Sequence, residues 1–239
     1  MDGSGSMFHG PLHFGTSSVG FDVIYDTGSD WVVVEGKNCT NCQGDVYNST
    51  ASSIQSKQVG TSISSRTYGN FLLYGTEFLD RVCINYLKGC VENFQYFQIT
   101  ANQTGLSEPF DGILGMARNK PFLLGNSTNA VGPLFVDALA NAKVISDNRF
   151  SFSLGYVNGS TFVDFGVPQT SAMSNQNDIR DIYVEKDFFW SAYSQAMAFN
   201  TTSMDSSYGY VNGSLVYSIF DTGASGIMLS SDYFQTIVT

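Results

Sequence analysis

Two apolar runs in this chain end in the same way. Residues 21–25 and residues 216–220 are rich in valine, isoleucine and aromatic side chains, and each run ends in an aromatic residue followed by Asp-Thr-Gly. Apolar runs of this length and composition predict buried strands. The glycine two positions after each aspartate predicts a turn that ends the strand. The pattern therefore places Asp26 and Asp221 at the ends of two buried strands.

The rest of the pattern predicts mostly β-structure. Polar and apolar residues alternate over 150–154 and 161–166, with an Asn-Gly pair between them, which indicates a hairpin. Residues 66–75 indicate a second hairpin around a glycine-containing turn. Residues 133–142 have the apolar spacing of a helix. The Ser/Thr-rich stretch 48–65 indicates turns and edge strands.

The repeated Asp-Thr-Gly is the candidate chemistry. One such tripeptide occurs by chance in about one chain in twenty at average residue usage, whereas two copies, each behind an apolar run, are far rarer. Two carboxyl groups brought face to face cannot both ionise, so the pair holds one proton. The ionised member can then take a proton from water while the protonated member polarises a carbonyl. The proton belongs to the pair and is assigned to neither aspartate.

Composition and charge limit the classes of function that the protein can have. The 239 residues suffice for one large or two ordinary domains. The 21 acidic and 11 basic side chains give a formal net charge of −10, which argues against nucleic acid as a partner. An acidic surface also suits work at low pH. No apolar stretch approaches the ~20 residues that a membrane span needs.

Four cysteines allow three disulfide pairings. They lie in two local groups, at Cys39 and Cys42 and at Cys83 and Cys90. Sequential pairing within each group is the simplest arrangement. A four-cysteine zinc site is the alternative, although the second group lacks the close spacing that such sites usually have.

From Phe8 to its C-terminus the chain resembles the pepsin-family (A1) aspartic endopeptidases. The resemblance implies a mostly β, bilobal pepsin-like fold with an incomplete second lobe. Residues 1–170 would form the N-terminal lobe with the first Asp-Thr-Gly loop and the flap. Residues 171–239 would form a partial C-terminal lobe with the second loop. Because the family continues for very roughly another hundred residues, the resemblance also implies a C-terminally truncated chain.

The resemblance assigns roles to the residues of both loops. Asp26 and Asp221 would be the catalytic pair, with Thr27 and Thr222 cross-linking the loops. The hydroxyl of Ser29 would hydrogen-bond the first carboxylate. The full set of supporting loop residues is Thr27, Gly28, Ser29, Thr222, Gly223 and Ala224.

Three further features follow from the resemblance. Tyr68 and Gly69 would lie in the flap that closes over substrate, and residues 113–115 (Ile-Leu-Gly) would brace the first loop. Ala224 replaces the usual Thr or Ser, so a hydroxyl that would favour the ionised form is missing. This predicts that the lower of the two apparent pKa values of the pair is raised. We therefore expect activity at less acid pH than in pepsin.

The resemblance also implies a partner and a location. The expected substrate is a polypeptide in extended conformation, bound by a monomer without metal or organic cofactor. Seven Asn-x-Ser/Thr sequons favour a secretory route and glycosylation, although chance accounts for about half of them; they are at Asn38, Asn48, Asn102, Asn126, Asn158, Asn200 and Asn212. A secreted or lysosomal/vacuolar location is expected. The alternative function is a catalytically inactive aspartic-protease-like binding protein or a gene fragment.

Overall fold

The computed structural model describes residues 7–52, 56–69, 71–86, 88–102, 110–118, 132–154, 161–173, 175, 179–184, 189–197, 211–231 and 234–235. Regular elements in these residues are mostly strands. They are β1 (His9–Phe14), β2 (Phe21–Asp26), β3 (Val32–Thr40), α1 (Ser49–Ser52), β4 (Lys57–Tyr68), β5 (Phe71–Asn85), β6 (Lys88–Asn102), β7 (Gly112–Gly115), α2 (Phe135–Asn141), β8 (Phe150–Ser153), β9 (Phe162–Phe165), β10 (Ser191–Met197) and β11 (Val211–Ile219), with a 3₁₀ turn at Thr170–Ala172.

Seven strands form one sheet in the order β1-β2-β7-β3-β6-β5-β4. Strand β1 also pairs with β5 through His13 and Phe14, so the sheet folds back on itself. β8 pairs with β9, and β10 pairs with β11, as two separate antiparallel pairs. The mostly β class expected from the sequence is confirmed.

The core lies inside the folded sheet, where alternate residues of β1, β2 and β6 point inward. Helix α2 closes it with Phe135, Val136 and Leu139. Fully buried members of this cluster include Leu12, Phe14, Val23, Val34, Tyr96 and Leu114. The apolar run of β2 is thus buried by strands on both sides and by α2, and this packing holds its end in place.

Several local predictions are confirmed. Helix α2 falls within residues 133–142, and β8 and β9 form the hairpin predicted over 150–166. The turn between these two strands, at Asn158-Gly159, lies outside the described residues. The hairpin predicted over 66–75 is the tip of the far longer strands β4 and β5.

The Ser/Thr-rich stretch 48–65 was predicted to form turns and edge strands, and the edge strand is confirmed. Strand β4 runs for 12 residues at the edge of the sheet, where a polar sequence does not need to alternate. Helix α1, which was not predicted, occupies part of the same stretch. Its first turn is stabilised because the Thr50 hydroxyl donates to Oδ1 of Asn48 at 3.0 Å, and Ala51 N–H donates to the Asn48 carbonyl.

Neither helix in the described part of the chain is long and apolar enough to cross a membrane.

Candidate active site

The first aspartate ends β2 and is held by the neighbouring strand β7. The two strands run parallel with Asp26 opposite Gly115, and β7 also pairs antiparallel with β3. The backbone N–H of Met116 donates to the Asp26 carbonyl at 2.7 Å. A Cβ on Gly115 would lie only 2.6 Å from the backbone nitrogen of Trp31, so glycine permits the close approach. Residues 113–115 therefore lie directly beside the first loop and support it.

The second aspartate follows β11, which pairs with β10 up to Ser191 and Ile219. The backbone N–H of Phe220 donates to the carbonyl of Trp190 at 2.8 Å. The indole N–H of Trp190 donates to the carbonyl of Met116 at 2.9 Å. Trp190 therefore links the strands beneath the second loop to the segment that supports the first.

Two threonines join the loops directly. The N–H of Thr27 donates to Oγ1 of Thr222 at 3.0 Å, and the N–H of Thr222 donates to Oγ1 of Thr27 at 2.9 Å. The Thr27 hydroxyl donates to the Phe220 carbonyl at 2.8 Å, and the Thr222 hydroxyl donates to the Tyr25 carbonyl at 2.6 Å. The four bonds match residue for residue, so the two loops are held in equivalent positions.

The two carboxyl groups meet between these loops. Besides burial, the charge of the Asp221 carboxyl group raises the pKa of Asp26, which favours a single proton held by the pair. Within each loop a glycine N–H donates to the carboxyl oxygen Oδ1, from Gly28 to Asp26 at 2.9 Å and from Gly223 to Asp221 at 2.8 Å. Each carboxyl group is thus oriented by its own backbone.

The same glycines make room for the opposite carboxyl group. A Cβ on Gly28 would lie 2.5 Å from Oδ2 of Asp221, and a Cβ on Gly223 would overlap Oδ1 of Asp26. Any side chain at either position would force the carboxyl groups apart. The Asp-Thr-Gly tripeptide therefore combines an acid, a cross-link and a space for the partner acid.

Burial raises the pKa of Asp26 above its ordinary value. Loss of water around the carboxylate is the largest cause, and the hydroxyl of Ser29, which donates to Oδ2, acts in the opposite direction. The charge of Asp221 raises the pKa further, while the N–H of Gly28 lowers it. Asp26 is 8% exposed, so its proton is retained to higher pH than that of a surface aspartate.

Ala224 stands in the second loop where Ser29 stands in the first, three residues after the aspartate. Its backbone N–H donates to the main-chain carbonyl of Asp221 at 3.4 Å. A methyl side chain offers no hydrogen bond to a carboxylate. The two loops therefore differ in their chemistry although their backbones match.

Tyr68 and Gly69 lie at the tip of the β4–β5 hairpin. Gly69 has φ +53°, a conformation that glycine adopts without steric cost. The Tyr68 ring packs against a second apolar cluster that contains Trp31, Phe97 and Ile113. Its hydroxyl is buried and has no hydrogen-bond partner among the described residues.

Burial, followed by the charges of Asp30 and Asp26, raises the pKa of Tyr68. The phenol is therefore within electrostatic reach of the first carboxyl group.

Sequence reasoning missed three contributors to the site. Asp30 accepts a hydrogen bond from the N–H of Gly132 at 2.6 Å, and Arg66 is 2% exposed. Trp190, described above, links the strands beneath the second loop to the segment that supports the first. The sequence signal for Asp30 was its position directly before the apolar run 31–34. Arg66 lies in a polar stretch and Trp190 in an aromatic one, and neither stretch carried a signal for its role.

The cysteines pair sequentially, Cys39 with Cys42 and Cys83 with Cys90. Since all four are in disulfides, they are not zinc ligands. Cys83 and Cys90 face each other across β5 and β6, and Cys39 and Cys42 pack against the cluster around Trp31. Among the described residues, no three His, Cys, Asp or Glu side chains form a group that could hold a metal ion.

Residues 7–239 match the family model described as eukaryotic aspartyl protease. The chain belongs to this family. It is 29% identical to vacuolar protease A of Arthroderma otae over 243 residues, covering 98% of this chain and 56% of that protein. It is 34% identical to cathepsin D of Rattus norvegicus over 160 residues, covering 62% and 37%.

Embryonic pepsinogen of Gallus gallus is 27% identical over 223 residues, covering 91% of this chain and 54% of that protein. The chain thus spans about half the length of the curated relatives it matches.

Proposed function

We propose that this protein is an aspartic-type endopeptidase that hydrolyses peptide bonds with water activated between Asp26 and Asp221. The observation that carries this proposal is the position of the two carboxyl groups, each beside the glycine of the opposite loop, where two cross-linked loops meet. Membership of the eukaryotic aspartyl protease family supports the same reaction.

The reaction uses the single proton of the pair. The ionised carboxylate takes a proton from a water molecule, whose oxygen adds to the carbonyl carbon of the peptide. The protonated carboxyl group donates to the carbonyl oxygen as negative charge develops there. Collapse of the tetrahedral intermediate breaks the C–N bond, and the amine leaves with a proton from the pair. Asp26 and Asp221 exchange roles through the cycle, so the proton is assigned to neither.

The loops supply the positioning that this reaction needs. Catalysis by two groups loses efficiency when either moves by about 1 Å. Here four threonine hydrogen bonds and two glycine N–H groups fix both carboxyl groups. We further assign Tyr68 and Gly69 to a flap that covers an extended polypeptide, because the hairpin tip brings the phenol near Asp26.

The wider assignments follow the same reasoning. We infer two lobes, residues 1–170 and 171–239, each with one aspartate loop, in a monomer. The relatives named vacuolar protease A, cathepsin D and pepsinogen favour a vacuolar, lysosomal or secreted location. Two disulfides fit such an oxidising route.

The test is cleavage of a denatured protein at acid pH, with and without pepstatin. We expect pepstatin-sensitive cleavage by the protein and a loss of at least about 10²-fold in Asp26→Asn and Asp221→Asn. Asp137→Asn is the matched control, since Asp137 lies on α2 and its carboxyl group accepts a hydrogen bond only from Asn148 among the described residues. Equal cleavage by the protein and by Asp26→Asn would remove the proposal.

A further inference from the structure

Arg66 is a buried cation beside the candidate active site, and the catalytic steps above do not use it. It lies on β4, two residues before Tyr68, and is 2% exposed. A charge so deeply buried is stable only when it is paired and hydrogen-bonded. Its partners therefore show what it connects.

The polar contacts of Arg66 tie the two arms of the β4–β5 hairpin together. Nη2 donates to Oε1 of Glu77 on β5 at 2.8 Å. Nη1 donates to the carbonyl of Ser65 at 2.9 Å and to Oγ of Ser64 at 3.1 Å, both on its own strand. The bonds fix the plane of the guanidinium group.

The aromatic contacts of Arg66 tie the hairpin to the strand leaving the first loop. Its carbon Cζ lies 4.5 Å from the ring centroid of Trp31 and 4.6 Å from that of Phe97. We call Trp31 and Phe97 the aromatic corner; their ring centroids are 6.3 Å apart and both rings are buried. A buried guanidinium group over aromatic faces is attracted by their electron density.

The aromatic corner is connected to the reacting groups on both sides. Trp31 follows Asp30 directly, and its carbonyl accepts the N–H of Gly115 at 2.9 Å, so it belongs to the support of the first loop. Tyr68 packs against the same cluster. Tyr68 therefore packs against the aromatic corner, which Arg66 contacts and which belongs to the support of the first loop.

We propose that Arg66 is a positioning residue that holds the hairpin tip, and with it Tyr68, in the conformation that covers substrate. This inference rests on the proposed endopeptidase function. Arginine suits the role because one planar group reaches Glu77 and the aromatic corner together. A hairpin without this anchor would spend less of its time in the closed position.

The proposal predicts a particular kinetic signature. If only a fraction of the molecules has a closed hairpin, the apparent affinity for substrate falls by that fraction, whereas the bound complex reacts at its usual rate. Arg66→Met should therefore raise KM by about 10-fold and leave kcat within about 2-fold. A general folding defect would instead reduce the amount of active protein, which lowers apparent kcat at unchanged KM.

Two further variants separate the contacts. Arg66→Lys keeps the charge but not the planar group, so we expect a smaller rise in KM in the same direction. Arg81→Met is the matched control, because it breaks the 2.6 Å ion pair between Arg81 on β5 and Glu92 on β6, away from the hairpin tip. Its KM should equal that of the unaltered protein. If Arg66→Met does not fold, Arg66→Lys carries the test.

Amide hydrogen exchange gives a second measurement that does not depend on turnover. Arg66→Met should exchange faster at residues 64–69, with no change at residues 88–91 at the start of β6. Unchanged KM together with unchanged exchange at 64–69, or a loss of kcat at unchanged KM, overturns the proposal. If the unaltered protein shows no turnover, the proposed function fails, and the exchange result alone decides whether Arg66 anchors the hairpin.

Discussion

Thr27 and Thr222, 195 positions apart in the chain, exchange backbone-to-hydroxyl hydrogen bonds of 3.0 and 2.9 Å. Each hydroxyl also donates to the carbonyl before the opposite aspartate. The two aspartate loops are therefore cross-linked at a point one residue from each carboxyl group. This relationship makes the placement of one acid depend on the other loop.

Removing one threonine hydroxyl should damage both loops. Thr222→Val keeps the shape but leaves the N–H of Thr27 and the carbonyl of Tyr25 without their partner, which costs about 1–3 kcal/mol in the free energy of unfolding. Thr27→Val should cost a similar amount. Because the two hydroxyl groups also contact each other at 3.3 Å within one hydrogen-bonded network, the double variant should lose less than the sum of the two single losses. Urea unfolding of the three variants measures this coupling.

The exposed residue Thr50 provides the control, since Thr50→Val removes a hydroxyl that donates only to Asn48 among the described residues. We expect a change within about 0.5 kcal/mol. Additive losses for Thr27→Val and Thr222→Val would contradict the cross-link.

The glycines of the two loops should be intolerant of any side chain. In Gly28→Ala the new Cβ would lie 2.5 Å from a carboxyl oxygen of Asp221, so the acids must move apart. We expect activity to fall by about 10²-fold or more, since the displacement approaches 1 Å. Gly226→Ala is the control in the same region, because a Cβ there meets nothing within 4 Å. Peptide cleavage and circular dichroism of both variants would separate lost activity from lost fold.

Stability should be greatest at acid pH. Burial raises the pKa of the carboxyl groups of Asp26, Asp30, Glu35 and Asp111. A group whose pKa is raised by folding stabilises the folded state fully below its unfolded pKa, about 3.9 for Asp and 4.3 for Glu. That contribution is lost as pH rises through the folded pKa. The free energy of unfolding should therefore fall from about pH 4 towards neutrality.

Glu35→Gln tests the origin of this pH dependence. The carboxylate of Glu35 accepts backbone N–H groups from Gly44 at 2.9 Å and Gln43 at 3.4 Å, and an amide can keep the shorter bond. We expect a shallower decrease in the free energy of unfolding between pH 4 and pH 7. Urea midpoints at several pH values give the slope, and a slope equal to that of the unaltered protein would show that Glu35 does not contribute.

A hydroxyl group beside either carboxyl group should lower the pH at which activity is lost in acid. The Ser29 hydroxyl lowers the pKa of Asp26, so Ser29→Ala should move the acid limb of the kcat/KM profile to higher pH. Ala224→Ser adds a hydroxyl at the matching position and should move the limb to lower pH. A hydrogen bond to a charged group is worth about 1.5 kcal/mol, which corresponds to about 1 pH unit. Shifts in the same direction for both variants would refute this explanation.

The sequence alone determined the features that depend on neighbouring residues. The strands that lead to Asp26 and Asp221, the glycine turns that follow them, and helix α2 could all be predicted because their physical causes lie within a few residues. The predicted burial of the second strand was wrong, because β11 pairs only with β10 among the described residues and Tyr217, Ile219 and Phe220 are exposed. The repeat of Asp-Thr-Gly also indicated that two acids work as a pair. The nearness of Cys39 to Cys42 and of Cys83 to Cys90 made sequential pairing the simplest choice among three.

Only the tertiary structure decided what depends on contacts between distant residues. The exchange of bonds between Thr27 and Thr222, the link from Trp190 to Met116 and the burial of Arg66 against Trp31 join parts of the chain that no local pattern relates. A charged side chain on a polar strand normally faces water. The local sequence does not reveal when such a side chain is buried instead. The contacts of Arg66 with Glu77 and the aromatic corner placed it in the interior, because together they replace the hydration that a buried cation loses.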